Sequence, residues 1–220
     1  MDFTFNDFIT IVVNYLPLFI GWFLGIISAL TIDLLKKCFD RSEIKKGILI
    51  ELNEVQLVAT SACISTIPST QLTQGYANWI RPFFEKLITS RGKDYSIDEK
   101  ILNKMTEKEF YEILSTIITN RTPGTSNIAT KIKTPYLDAK INFISFFNEK
   151  LQSLVIRLKR DVDLINDDFS QITFYHSKTF DNLSENNREI VQKNTELISE
   201  RIERRSQNLI KLIQQIIDSN

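Results

Sequence analysis

Apolar and polar residues are distributed very unevenly along this chain, and the most distinctive segment is near its N-terminus. From Phe8 to Ile32, 25 consecutive residues carry no charge. A helix of this length reaches about 37 Å, which exceeds the roughly 30 Å of a bilayer's hydrocarbon core. The pattern therefore predicts a transmembrane helix over residues 8–32, preceded by a short extracytoplasmic tail of residues 1–7.

A cleaved signal peptide is the main alternative for such a segment. Signal peptides usually combine a basic N-terminal region, a shorter apolar run and small residues at the cleavage site. Here the residues before the run include Asp2 and Asp7 but no Lys or Arg, and the apolar run is longer than a signal peptide requires. The sequence therefore favours a retained membrane helix.

The charges that flank the predicted span indicate its orientation. The basic residues that follow it closely are Lys36, Lys37, Arg41, Lys45 and Lys46. Because positively charged flanks stay in the cytoplasm, we expect the N-terminus outside and the C-terminal domain inside. The Ile-, Asn- and Lys-rich composition favours a bacterial cell, and hence the bacterial inner membrane.

One face of the span has small and polar residues at helical spacing. Its members are Asn14, Pro17, Gly21, Gly25 and Ala29. Small residues let two helix backbones approach closely, and an asparagine in hydrocarbon can hydrogen-bond across a helix interface. The stripe predicts a homo-oligomer that associates through Asn14, Gly21, Gly25 and Ala29.

Residues 33–134 are predicted to form a juxtamembrane region of shorter helices. A helical apolar period runs from Arg41 to about Thr66, in a helix that continues directly from the membrane span. A second apolar period covers residues 76–91, where Pro82 predicts an interruption. We expect a loop over residues 68–75 between these two helices, because that stretch is polar and contains proline and glycine.

Two capping-box patterns follow in the same region. Ser96 with Glu99 predicts the start of a short helix, and Thr106 with Glu109 predicts a helix that ends near Thr119. The stretch from Asn120 to Asn127 is rich in Gly, Pro, Ser and Thr, so it predicts a loop.

Residues 135–220 show a heptad repeat. Its two seams hold Leu137, Ile144, Leu151, Leu158, Ile165 and Ile172, and Ile141, Asn148, Val155, Val162, Phe169 and His176. This repeat predicts one helix from about Tyr136 to Phe180, about 67 Å long. A second run continues from Val191 to Ile216 after a polar turn, with Arg205 as its single break.

Two heptad helices joined by a short turn predict an antiparallel hairpin. The alternative is a parallel coiled coil between chains, in which a buried Asn148 would fix the register. No sustained strand-type alternation occurs anywhere in the sequence. We therefore expect an all-α protein: one N-terminal transmembrane helix, then a cytoplasmic helical bundle with a long C-terminal heptad-repeat helical hairpin.

Overall charge argues against nucleic acid as a partner. The chain has 27 Lys and Arg against 27 Asp and Glu, and only two of the acids precede residue 33. The remainder is therefore nearly neutral, whereas proteins that bind DNA through bulk charge are strongly basic. We expect no direct DNA binding.

Candidate chemistry is sparse. His176 is the only histidine, and Cys38 and Cys63 are the only cysteines, so a zinc site of the usual ligand spacing is not expected. We find no catalytic motif and expect neither a metal nor a cofactor. The best candidate for binding an anion such as a nucleotide combines Arg121 and Gly124 in the predicted loop with Lys131 and Lys133.

These features predict a non-enzymatic, self-associating single-pass membrane protein whose cytoplasmic domain binds or senses a ligand or partner. A sharper form is a membrane-perturbing effector, as in bacterial antiviral defence, gated by an anionic or nucleotide signal. It rests on an analogy of architecture, a small anchor with a compact domain. The alternative is a membrane-anchored scaffold that recruits a protein partner through the C-terminal coiled coil.

Overall fold

The computed structural model of the protein describes residues 5–91, 102, 104–120, 131–181 and 183–219. Throughout these residues the regular structure is helical and contains no strand. The helices are α1 (Phe5–Thr66), a short 3₁₀-helix (Ser69–Gln71), α2 (Gln74–Arg91), α3 (Glu107–Thr119), α4 (Pro135–Lys140), a second 3₁₀-helix (Ile141–Phe146), α5 (Glu149–Lys178) and α6 (Glu185–Asp218). The all-α prediction is confirmed.

The chain divides into two compact units, Met1–Lys46 and Gly47–Asn220. We call them the N-terminal unit and the helical unit. Helix α1 is continuous over 62 residues and contributes to both. This continuity confirms the prediction that the helix beginning near Arg41 follows directly from the apolar segment.

The N-terminal unit contains the candidate membrane span. Among the residues described, α1 is the one helix that is long and apolar enough to cross a membrane, and its most apolar stretch has no buried residue. Large apolar side chains such as Leu18, Trp22 and Leu30 are exposed. By length and composition, the structure therefore agrees with the predicted span.

Helices α5 and α6 of the helical unit form an antiparallel hairpin. Arg205 of α6 contacts Asp168 of α5, and Arg201, one turn earlier, contacts Gln171, so the two helices run in opposite directions. The buried seams contain Leu151, Val155, Leu158, Val162, Ile165 and Phe169 of α5 and Ile198, Ile202, Leu209, Leu212 and Ile216 of α6. The predicted hairpin of two heptad helices is confirmed for α5 (Glu149–Lys178) and α6 (Glu185–Asp218).

The predicted single helix from Tyr136 to Phe180 is wrong. The chain forms α4, then a 3₁₀-helix, and α5 begins only at Glu149. Phe147 and Asn148 have extended backbones with ψ of 166° and 155°, and the side chain of Asn148 accepts a hydrogen bond from the Leu151 N–H at 2.8 Å. This side chain satisfies a backbone donor that would otherwise bond within a continuous helix, so the helix starts anew here.

Asn148 is therefore the N-cap of α5 and is exposed to solvent. Its predicted position inside a helical seam, where it would fix the register of a coiled coil, is wrong. Leu137 and Ile144 are buried as the heptad pattern predicts, although they lie in two shorter helices. One predicted seam thus continues across the change in backbone structure, whereas the prediction that Ile141 lies in a buried seam is wrong, because its side chain is exposed.

The shorter helices agree with their sequence signals in part. Thr106 and Glu109 form the predicted capping box at the start of α3, with each side chain accepting a hydrogen bond from the other residue's N–H. The interruption predicted near Pro82 is wrong, because α2 runs through it. Pro82 is exposed, so water can hydrate the carbonyl that loses its helical partner. The capping box at Ser96 lies outside the described residues.

Candidate functional site

Half of the predicted anion site can be located in the structure. Arg121 and Gly124 lie outside the described residues, whereas Lys131 and Lys133 lie in the segment just before α4. The N–H of Ile132 donates to Asn166 Oδ1 at 2.8 Å, and Asn166 Nδ2 donates to the Ile132 carbonyl at 2.9 Å. The side-chain amide of Asn166 therefore binds both polar groups of one backbone residue and fixes this segment to α5.

Burial alternates along that segment. Ile132 and Thr134 are buried, while Lys131 and Lys133 are exposed. The two lysines thus share the solvent-facing side of a segment held in place by Asn166. The arrangement leaves both ammonium groups accessible to an anion.

A third lysine close to this segment is already paired. Lys159 Nζ lies 3.0 Å from Asp138 Oδ1 and 3.1 Å from Asp163 Oδ1. Partial burial lowers the pKa of Lys159, but hydrogen bonds to the two carboxylates outweigh that effect, so its pKa is raised overall. Lys159 therefore remains charged and is neutralised by the protein itself.

A buried charge cluster lies between α5 and α6. Asp168 is 2% exposed, and its carboxylate contacts Arg205 Nη1 at 2.6 Å and Arg201 Nη2 at 3.2 Å. Arg205 also donates to the Leu164 carbonyl at 2.7 Å. Burial raises the pKa of Asp168 although both arginines act to lower it.

The apparent defect at Arg205 in the heptad pattern is therefore one half of an interhelical ion pair. A charged residue at a seam position was the available signal, because such a residue needs a partner of opposite charge on the facing helix. The sequence pattern does not identify that partner, because Asp167 and Asp168 are adjacent acidic residues. Which of the two faces α6 depends on the rotation of α5 about its own axis.

Cys63 and Glu203 form a second buried polar contact, between α1 and α6. The Cys63 thiol donates to the Glu203 carbonyl oxygen at 3.8 Å and is fully buried. Burial, followed by the nearby Glu203 charge, raises the pKa of the Cys63 thiol well above its ordinary value. A buried thiol of this kind is unreactive, which agrees with a packing role.

An open pocket of about 490 Å³ adjoins these residues on the surface of α6. Its lining residues are Gln71, Leu197, Glu200, Arg201, Glu203 and Arg204. The two arginines and the two glutamates among these residues balance in formal charge. The pocket therefore offers no net charge that would select an anion or a cation.

No group of three His, Cys, Asp or Glu side chains that could hold a metal ion occurs in the part of the chain that the structure describes. His176, a predicted seam residue, is half-buried near the end of α5. Its ring packs against Phe180, with the ring centroids 5.3 Å apart.

The predicted association stripe of the span is open. A Cβ atom added at Gly21 or at Gly25 would have no neighbour within 4 Å, and Ala29 is exposed. The side chain of Asn14 lies outside the described residues. The described part of the stripe therefore leaves room for another helix, as the association hypothesis requires.

Comparisons of this chain with protein-family models, with curated proteins and with solved structures find no match.

Proposed function

We propose that this chain is a non-enzymatic, self-associating membrane protein, anchored by the N-terminal part of α1, whose helical unit binds a ligand or partner. One observation carries the proposal: the described apolar side chains of α1 between Leu16 and Phe39 are all exposed, including Leu18, Trp22 and Leu30. Soluble monomers rarely expose contiguous apolar surface of this extent, whereas hydrocarbon would solvate it.

The flanking charges support an orientation. Five basic residues follow the span within fourteen positions of Ile32. The charged side chains before the span are both acidic, Asp2 and Asp7. We propose that the helical unit lies in the cytoplasm and that the membrane is the bacterial inner membrane.

Self-association is proposed to use the open face of Asn14, Gly21, Gly25 and Ala29. Replacing Gly25 with Ile adds a branched side chain where two backbones would meet, so we expect the oligomer to dissociate. Leu30→Ile is the matched control, because it places the same residue on the opposite face. The measurement is the protein mass of each full-length variant in detergent by light scattering. Equal masses for the wild type and both variants would remove this interface from the proposal.

The proposed ligand is an anion, for which the exposed pair Lys131 and Lys133 is the structural support, with Arg121 and Gly124 as further candidates. Titration of full-length protein with nucleotides tests it. We expect Lys131→Ala with Lys133→Ala to weaken binding at least tenfold and Lys150→Ala, another exposed lysine, to change it little. If no nucleotide binds, the hypothesis of an antiviral effector that is gated by a nucleotide is contradicted.

A membrane-anchored scaffold is the second candidate. The observation that favours it is that Ile156, Phe174, Ile190 and Leu197 are exposed apolar residues on the α5–α6 hairpin. A scaffold should lose its partner in pull-down experiments when Phe174 is replaced by Ser. An anion-gated protein should retain its nucleotide affinity after the same change.

A further inference from the structure

The open pocket on the surface of α6, which we call the α6 pocket, has the size of a small-molecule site. Its volume is about 490 Å³, and ligand pockets in proteins span roughly 300–1,000 Å³. Its lining residues lie on α6, except for Gln71, which belongs to the 3₁₀-helix Ser69–Gln71. The pocket is therefore built entirely within the helical unit, and its geometry does not depend on the membrane anchor.

The charged side chains of the α6 pocket are separated by sign. Successive residues of an α-helix project about 100° apart around the helix axis. Glu200 therefore lies about 60° from Glu203 around α6, whereas Arg204 and Arg201 lie about 100° and 160° from Glu203 in the same sense. Both glutamates thus form one edge of the pocket and both arginines form the other. The α6 pocket combines balanced formal charge with a negative edge and a positive edge.

Glu203 gives the negative edge a buried carboxylate that lacks a cationic partner. It is 7% exposed, and Gln207 of the same helix donates a hydrogen bond to its Oε1 atom. No Lys, Arg or His side chain among the residues that the structure describes forms an ion pair with Glu203. Buried carboxylates are almost always paired with a positive charge. An ammonium group bound in the pocket would supply that charge.

The positive edge contains one arginine that is held by the protein and one that is not. Arg201 Nη2 lies 3.2 Å from Asp168 Oδ1 and 2.8 Å from Gln171 Oε1, which fixes the guanidinium. Its Nε atom is buried and has no hydrogen-bond acceptor among the described residues. Arg204 is exposed, and no carboxylate in the described part of the chain pairs with it. The positive edge therefore retains hydrogen-bond donors for a carboxylate.

We propose that the α6 pocket binds a free α-amino acid with an apolar side chain. The ammonium group of the ligand contacts Glu203, its carboxylate contacts Arg204, and its side chain lies on Leu197, which is 50% exposed. A ligand of a single charge would be repelled at one edge of the pocket, whereas a zwitterion is attracted at both. This inference goes beyond the proposed function, because it uses neither the membrane anchor nor the lysine pair before α4.

Isothermal titration calorimetry of the full-length protein in detergent tests which charges the pocket requires. The probes are L-leucine, N-acetyl-L-leucine, which lacks the ammonium group, and L-leucinamide, which lacks the carboxylate. Because each analogue leaves one charged edge of the pocket without a partner, we expect it to bind at least about tenfold more weakly than leucine. L-Phenylalanine serves as a second apolar amino acid.

Three results of this titration would overturn the proposal. Equal affinities for leucinamide and leucine would show that the protein binds a cation. Equal affinities for N-acetyl-leucine and leucine would show that it binds an anion. If neither leucine nor phenylalanine binds at millimolar concentrations, the pocket is not an amino-acid site.

Two substitutions test whether leucine binds in the α6 pocket. Glu203→Gln removes the buried charge at nearly constant side-chain volume, and Arg204→Gln removes the guanidinium that has no partner. Each should weaken leucine binding at least about tenfold. The matched controls Glu196→Gln and Arg188→Gln remove the same charges from other exposed positions of α6 and should leave the affinity unchanged.

Unaltered leucine affinity in the two pocket variants would place the ligand elsewhere and overturn the proposal. Equal weakening in the pocket variants and in their controls would also overturn it, because the effect would then come from overall charge. Circular dichroism of each variant verifies that the helical content is retained.

Discussion

Two carboxylates of the helical unit are buried, Asp168 on α5 and Glu203 on α6. Asp168 is paired with two arginines, whereas the carboxylate of Glu203 has a hydrogen bond from Gln207 on its own helix. Burial is the main cause that raises the pKa of each group. The two sites therefore respond differently to mutation and to pH.

Removing Arg205 should destabilise the fold, because it leaves Asp168 buried with only Arg201 as a cationic partner. We expect Arg205→Ala to lower the free energy of unfolding by about 2 kcal/mol. Breaking a fully buried ion pair would cost more, but Arg205 is partly exposed. Arg204→Ala, which removes an exposed neighbour, should cost less than about 0.5 kcal/mol. Thermal unfolding in detergent measures both, and similar losses would show that the Asp168 contact contributes little.

Glu203→Gln should stabilise the protein at neutral pH. Because the pKa of Glu203 is raised in the folded state, its ionisation costs stability above that pKa, and the cost disappears as the pH falls below the unfolded value. We therefore expect a higher unfolding temperature for Glu203→Gln at pH 7 and no difference at low pH. Glu200→Gln, at an exposed position on the same helix, should show no such pH dependence. A pH-independent gain would contradict the assignment to Glu203 ionisation.

At the scale of single elements, helix boundaries depend on side chains that bond locally to the backbone. The sequence predicted the start of α3 from Thr106 and Glu109, because the two residues of a capping box have a fixed spacing. Asn148 was not, because it also fits a heptad position with apolar residues on both sides. An asparagine at an N-cap and one in a helical seam give the same periodicity, and only the backbone conformation distinguishes them.

Asn148→Ala should therefore act as the loss of a helix cap. We expect a loss of about 1 kcal/mol and near-complete retention of stability in Asn148→Ser, since serine caps almost as well. The measurement is thermal unfolding followed by circular dichroism. If Asn148 instead fixed the register of an oligomer, Asn148→Val would raise the stability of that oligomer, and light scattering would detect a change of mass.

At the scale of the whole molecule, α1 links an exposed apolar segment to the core of the helical unit without a break. Its two cysteines differ sharply, since Cys38 is exposed and Cys63 is buried. They therefore serve as built-in reporters of the proposed orientation.

A membrane-impermeant maleimide should label Cys38 in inverted vesicles and not in intact cells. Cys63 should remain unlabelled in both until the protein is denatured, because burial both blocks access and raises the pKa of its thiol. Asn6→Cys in a Cys38→Ser background is the control and should show the opposite accessibility. Labelling of Cys38 from outside the cell would reverse the proposed topology.

The sequence by itself determined the features that depend on the order of residues along one element. These are the apolar segment, the all-α class, the capping box of α3 and the seams of the hairpin, because each follows from composition or from a helical period. These features can be predicted without knowing which other element packs against the one that contains them.

Only the tertiary structure decided the contacts between elements that are distant in sequence. Arg205 pairs with Asp168, the Asn166 amide holds Ile132, and the Tyr136 ring lies on Gly47 next to the Glu51 carboxylate. The sequence pattern does not specify these partners, because a polar side chain at a given position can meet any complementary group that packing brings to it. The break at Asn148 belongs with them, because the backbone conformation there, and not the heptad period, ends one helix and begins the next.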